Sequence, residues 1–99
     1  MSYPEIVQAA IRRAMLELLA ELPDYTLPEG DLAAAMNAQH PYRLGGVAVA
    51  AQTAWLHQAG LATRLAVGAT AIVTLSARGL DVARGLDSVP GVARRAPGA

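Results

Sequence analysis

At Gly60 the spacing of apolar residues along this chain changes from a period of three to four to a period of two. Upstream, Ile6, Val7, Ala10, Ile11, Ala14, Met15, Leu18, Leu19 and Leu22 recur at the intervals that place side chains on one helical face. Downstream, Leu61, Thr63 and Leu65 alternate with Ala62, Arg64 and Ala66, and Val67-Gly68-Ala69 forms a turn. The β-branched run Thr70-Ala71-Ile72-Val73-Thr74-Leu75 then returns, so the second half of the switch is a hairpin.

Local signals set the boundaries. Ser2-Tyr3-Pro4-Glu5 is a capping box that opens a helix over 3–22, with Pro23 as its stop. Arg12, Arg13, Glu17 and Glu21 form its solvated face, with Arg13 and Glu17 as an i,i+4 pair. Thr26-Leu27-Pro28-Glu29 repeats the capping grammar and predicts a second helix over 27–39, closed by His40-Pro41. A third helix spans 45–59, and Gly60 occupies the position where a left-handed residue ends a helix. Strands follow over 61–66 and 70–75, and Ser76 caps a short helix over 76–85. The expected core contains Leu18, Leu19, Leu32, Val49, Leu56 and Leu75. Residues 1–87 form the domain; from Ser88 onward the chain lacks periodicity and is expected to be a flexible tail, 88–99.

Ninety-nine residues suit one domain. Apolar residues make up 54%, but 22 are Ala and none is Phe, so the 13 Leu, eight Val and three Ile must carry the core. A chain this small is marginal, which favours a homodimer. The absence of Cys excludes disulfides and thiolate chemistry. No run approaches the ~20 apolar residues of a membrane span, and no signal-peptide pattern opens the chain. A soluble, cytoplasmic protein is the expectation. Net charge is zero, yet residues 1–31 hold six acids against two Arg, while residues 32–99 hold six Arg against Asp81 and Asp87. The basic half is a hint of an anionic partner.

Catalysis finds little support. His40 and His57 have no carboxylate near them in sequence, no Gly-x-Ser-x-Gly elbow exists, and no metal-ligand spacing occurs. Gly45-Gly46 before a helix lacks the upstream strand and the Gly-x-x-x-x-Gly-Lys context of a phosphate loop. A non-enzymatic protein with no cofactor is expected.

Helices, a Trp55-Leu56-x-x-x-Gly60-Leu61 element, a hairpin and Leu75-Ser76-x-x-Gly79 in this order match the spacing of a winged helix-turn-helix, mainly α with a small β-hairpin. In that fold the third helix enters the DNA major groove with polar side chains. With Val49, Thr53 and Leu56 inward, the outward positions here are Val47, Ala50, Ala51, Ala54 and Gln58, with Trp55 on the flank. Only Gln58 of these outward positions offers hydrogen bonds; Arg43 before the helix and Arg64 on the hairpin are the candidate phosphate contacts. The strip Val47, Ala51 and Ala54 beside Trp55 is a candidate protein or dimer contact. Two functions compete: a DNA-binding transcriptional regulator using Arg43, Gln58 and Arg64, and a protein-binding adaptor or host-directed inhibitor using the apolar third helix.

The run Ala54-Trp55-Leu56-x-x-x-Gly60-Leu61, the hairpin, and Gly79-Leu80-Asp81-Val82-Ala83-Arg84-Gly85 followed by Val89-Pro90-Gly91-Val92 resemble small winged-helix proteins of Mu-like transposable phages and prophages. Met1-Ser2-Tyr3 and Tyr25-x-Leu27 are similar too, so the resemblance covers nearly the whole chain. It implies the winged-helix fold and a phage or prophage context. The third helix departs from the family pattern, which is more polar and charged where Gly45 to Ala51 here are Gly, Val and Ala only.

Overall fold

The computed structural model describes residues 2–95. Its order is α1 (Tyr3–Ala20), β1 (Thr26–Pro28), α2 (Glu29–Gln39), α3 (Gly46–Gln58), β2 (Ala62–Val67), β3 (Thr70–Leu75) and α4 (Ala77–Ala83). The architecture is mainly helical, with a small three-stranded antiparallel sheet in the order β1-β3-β2. Among the described residues no helix is long and apolar enough to cross a membrane.

Helix α1 starts where its capping residues predict. The Ser2 hydroxyl accepts from the Glu5 amide at 3.4 Å and donates to the Glu5 carboxylate at 3.0 Å. Its buried face supplies Met15, Leu16 and Leu19, which meet Leu32 and Met36 of α2, Val49 and Leu56 of α3, Val73 of β3 and Val82 of α4. All of these side chains are fully enclosed. Burying each is worth roughly 1.5–3 kcal/mol, so the non-Ala residues do hold the domain together. The six expected core residues are all buried.

The second capping box does not form. Thr26, Leu27 and Pro28 pair with Thr74, Val73 and Ile72 as an edge strand, and α2 begins at Glu29 without a side-chain cap. The strand saturates the otherwise open side of β3, and Thr26 and Thr74 share a hydroxyl hydrogen bond across it. Tyr25 makes the entry possible by adopting φ +57°, a conformation uncommon for a bulky residue. The reward is that the Tyr25 carbonyl accepts from the Leu75 amide at 2.8 Å, aligning the strand.

Two further expectations are corrected. Arg13 is not on a solvated face: it is buried, with Glu17 at 3.7 Å. The segment from Ser88 is not free of the domain, because Val92 is buried and the Ala93 amide donates to the Ala9 carbonyl at 3.1 Å. We term residues 88–95 the strap. Residues 96–99 of the expected tail lie outside the described residues.

Candidate docking face of the third helix and hairpin

Helix α3 is anchored by Val49, Thr53 and Leu56, all fully buried, as the four-and-three spacing requires. That phase turns Val47, Ala48, Ala51, His57 and Gln58 to solvent, and Val47 is 88% exposed. Ala50 and Ala54 are half-buried. Gly60, at φ +78°, ends the helix region and lets the chain turn directly into β2. The β2–β3 hairpin exposes two apolar side chains, Leu65 and Val67, on the side of the sheet opposite the inward-facing Ala62 and Arg64. On β2 it is Ala62 and Arg64 that face inward, not the Leu61, Thr63, Leu65 phase beyond Leu61 itself.

Arg64 is drawn inward by an acid on another helix. Its Nε and Nη2 donate to Glu29 Oε2 and Oε1 at 2.7 and 3.0 Å, a forked pair that matches guanidinium to carboxylate. The Thr53 hydroxyl donates to the same Glu29 Oε2 at 2.6 Å. The Arg64 backbone amide donates to His57 Nδ1 at 3.0 Å. One polar network thus ties α2, α3 and β2 together. The hydrogen bond from Arg64 holds the Glu29 carboxyl below its usual range against the opposing effect of burial, and Thr53 assists. Glu29 in turn raises the Arg64 guanidinium.

A depressed carboxyl contributes stability that is complete above its unfolded pKa, roughly 4.3, and is lost as pH falls through its folded value. The melting temperature should therefore decline on acidification below about pH 4, and Glu29→Gln should flatten that decline while lowering stability at neutral pH. An acid limb unchanged in Glu29→Gln would show that the pair contributes nothing to folding.

Of the residues singled out in the sequence, Arg43 is exposed in the loop before α3, and Gln58 is exposed at its far end. Arg64 faces Glu29. Trp55 lies one turn beyond Ala51 on α3 and is half-buried: the Arg12 guanidinium lies 3.9 Å from the ring centroid, and Gly91 of the strap packs on the ring. A second shallow region lies in the α2–α3 loop, a cleft of about 730 Å³ lined by Asn37, Tyr42, Arg43 and neighbours, where the His40 and Tyr42 rings stack at 5.9 Å. Asn37 fixes this loop by pairing with both the amide and the carbonyl of Leu44. Among the described residues no three His, Asp or Glu side chains gather to hold a metal ion.

Glu29 is the residue that sequence reasoning assigned elsewhere. It sat in a capping pattern, and nothing in its spacing linked it to Arg64, 35 positions away. Compared with protein-family models, curated proteins and solved structures, the chain matches none.

Proposed function

We propose that this chain is a non-enzymatic winged-helix domain whose α3–hairpin face docks another polypeptide. The fold reading is supported by the element order and by the hairpin's attachment to the third helix through the Arg64 amide and His57. The resemblance to proteins of Mu-like phages supports a phage or prophage origin and a host-cytoplasmic setting. Fold alone does not choose a ligand.

The observation that carries the docking reading is the chemistry of the face. Val47, Ala48 and Ala51 of α3 are exposed, and Arg64 of the adjoining hairpin, which faces the helices, is neutralised by Glu29. A groove-reading helix needs donors and acceptors for base edges, and a phosphate surface needs free cations. This face offers apolar area instead, which commonly marks protein contact. Small side chains along α3 would let a partner backbone approach closely. The partner is a second copy of the chain or a foreign protein of the host or phage.

A second reading, DNA binding, is favoured by one specific observation. Arg43 is exposed immediately before the N-terminus of α3, where it would meet a phosphate if the helix approached a duplex.

Ala51→Arg separates the two. The variant should remain folded, since Ala51 is exposed, and should lose self-association or partner binding because a charge would be buried without a counter-ion. Sedimentation of wild type and variant, with a parallel duplex-DNA titration, reads both effects. Tighter DNA binding by Ala51→Arg with unchanged assembly would overturn the docking reading in favour of DNA.

A further inference from the structure

The arginine excess of the C-terminal part does not gather on the α3–hairpin face. Four of the eight arginines, Arg78, Arg84, Arg94 and Arg95, lie on α4 or on the segment that follows it. Arg78 pairs with Asp87 at 3.3 Å. Arg84, Arg94 and Arg95 are exposed, and no carboxylate among the described residues forms a salt bridge with them. Asp81, one turn before Arg84, is exposed and likewise outside any ion pair among the described residues.

Arg95 is held in a defined position. Gly85, at φ +79°, ends α4, and the Arg95 stem crosses it so closely that a Cβ at Gly85 would stand 3.2 Å from Arg95 Cδ. Arg95 Nη1 donates to the Arg84 carbonyl at 2.8 Å, which seats the guanidinium at the negative end of α4. The rest of its donor fork remains available, because a guanidinium carries five N–H groups. Arg94 and Arg95 line an open cleft of about 450 Å³ together with Arg13, Gly85, Leu86, Asp87 and Ser88. Asp87 is already engaged by Arg78.

We infer that this end of the domain binds the phosphate backbone of a nucleic acid. Three exposed guanidiniums outside any salt bridge among the described residues, two of them lining one cleft and the third on the residue whose carbonyl holds Arg95, suit a ligand of dense, regularly spaced negative charge. Duplex DNA offers about one charge per 1.7 Å of axis, and its phosphate oxygens accept bidentate arginine contacts. Contacts of this kind hold the backbone and carry no sequence preference. The site is on different elements from the α3–hairpin face, so it stands whether or not that face docks a protein.

The test is a titration of fluorescent mixed-sequence duplex DNA over a range of salt, using wild type, Arg84→Gln/Arg94→Gln/Arg95→Gln and Arg43→Gln. The triple variant should lose about two to three units of log–log salt slope, at about one unit per phosphate contact removed. Arg43→Gln, which lies outside this patch, should leave the slope at its wild-type value. If the triple variant melts early, Arg94→Gln alone should remove about one unit. Wild-type affinity and slope in the triple variant or in Arg94→Gln would overturn the assignment. So would failure of the wild type to bind duplex at low salt, or competition by polyglutamate equal to that of DNA at matched charge, which would make the ligand an acidic protein.

Discussion

Gly79→Ala should leave the domain largely unfolded or nearly so. A Cβ at this position would overlap the Leu61 carbonyl oxygen, and it would lie 2.9 Å from the Leu61 carbonyl carbon and 2.8 Å from Leu75 Cδ1. Leu75 can change rotamer, but the Leu61 backbone cannot yield. Its amide donates to the Leu56 carbonyl at 3.0 Å and its carbonyl accepts from the Ser76 amide at 3.1 Å. Relief therefore requires α4 to move off the sheet, which uncovers Val82 and Ala83. We expect a loss of about 4 kcal/mol or more, the range of severe overpacking and cavity effects. Domains of this size have only about 5–15 kcal/mol in total. Urea denaturation followed by circular dichroism measures it, and a loss below about 1 kcal/mol would mean that α4 is free to shift.

Arg13→Met should be the second most damaging change. The buried guanidinium donates through Nε to the Ala93 carbonyl, through Nη1 to Ala83 at 3.3 Å and through Nη2 to Val82 at 2.9 Å. It therefore ties the last carbonyls of α4 to the strap and to α1. Methionine fills part of the volume but satisfies none of these acceptors, and each buried carbonyl left unpaired costs about 1–3 kcal/mol. A loss of about 3 kcal/mol is expected, moderated where water reaches the end of α4. Arg13→Lys should recover only part of it, because a point charge cannot span the three acceptors. The fluorescence of Trp55, which the strap covers through Gly91, should shift to the red in Arg13→Met. A destabilised variant with unchanged Trp55 emission would show that Arg13 does not hold the strap.

What could be seen in the sequence depended on range. Elements defined by their own periodicity were legible: α1, α3 and the β2–β3 hairpin fall within a few residues of their expected limits. The Leu75-Ser76-x-x-Gly79 start of α4 was legible as a pattern, though the reason for Gly79 lies in the distant Leu61 carbonyl. Strand β1 was not legible, because three residues are too few to display a period and its partner β3 lies almost fifty positions later. The strap was missed for a different reason. It is held mainly by main-chain groups, the carbonyls of Gly91 and Ala93 and the amide of Ala93, and no side-chain pattern encodes a backbone acceptor. For the candidate face, the apolar phase of α3 was evident, whereas the neutralisation of Arg64 required Glu29 and Thr53 to be brought beside it.

The strap also bears on how long the native state persists. Arg12 and Arg13 reach carbonyls 79 and 80 positions away, so these bonds close a loop embracing nearly all of the described chain. Contacts of such long sequence separation carry a large loop-closure cost, and we expect them to form after the helices and sheet have assembled around Leu16, Leu32 and Val73. Interactions absent from the transition state slow unfolding without hastening folding. The adjacent arginines thus act on the lifetime of the folded chain: a clasp that closes last must open first.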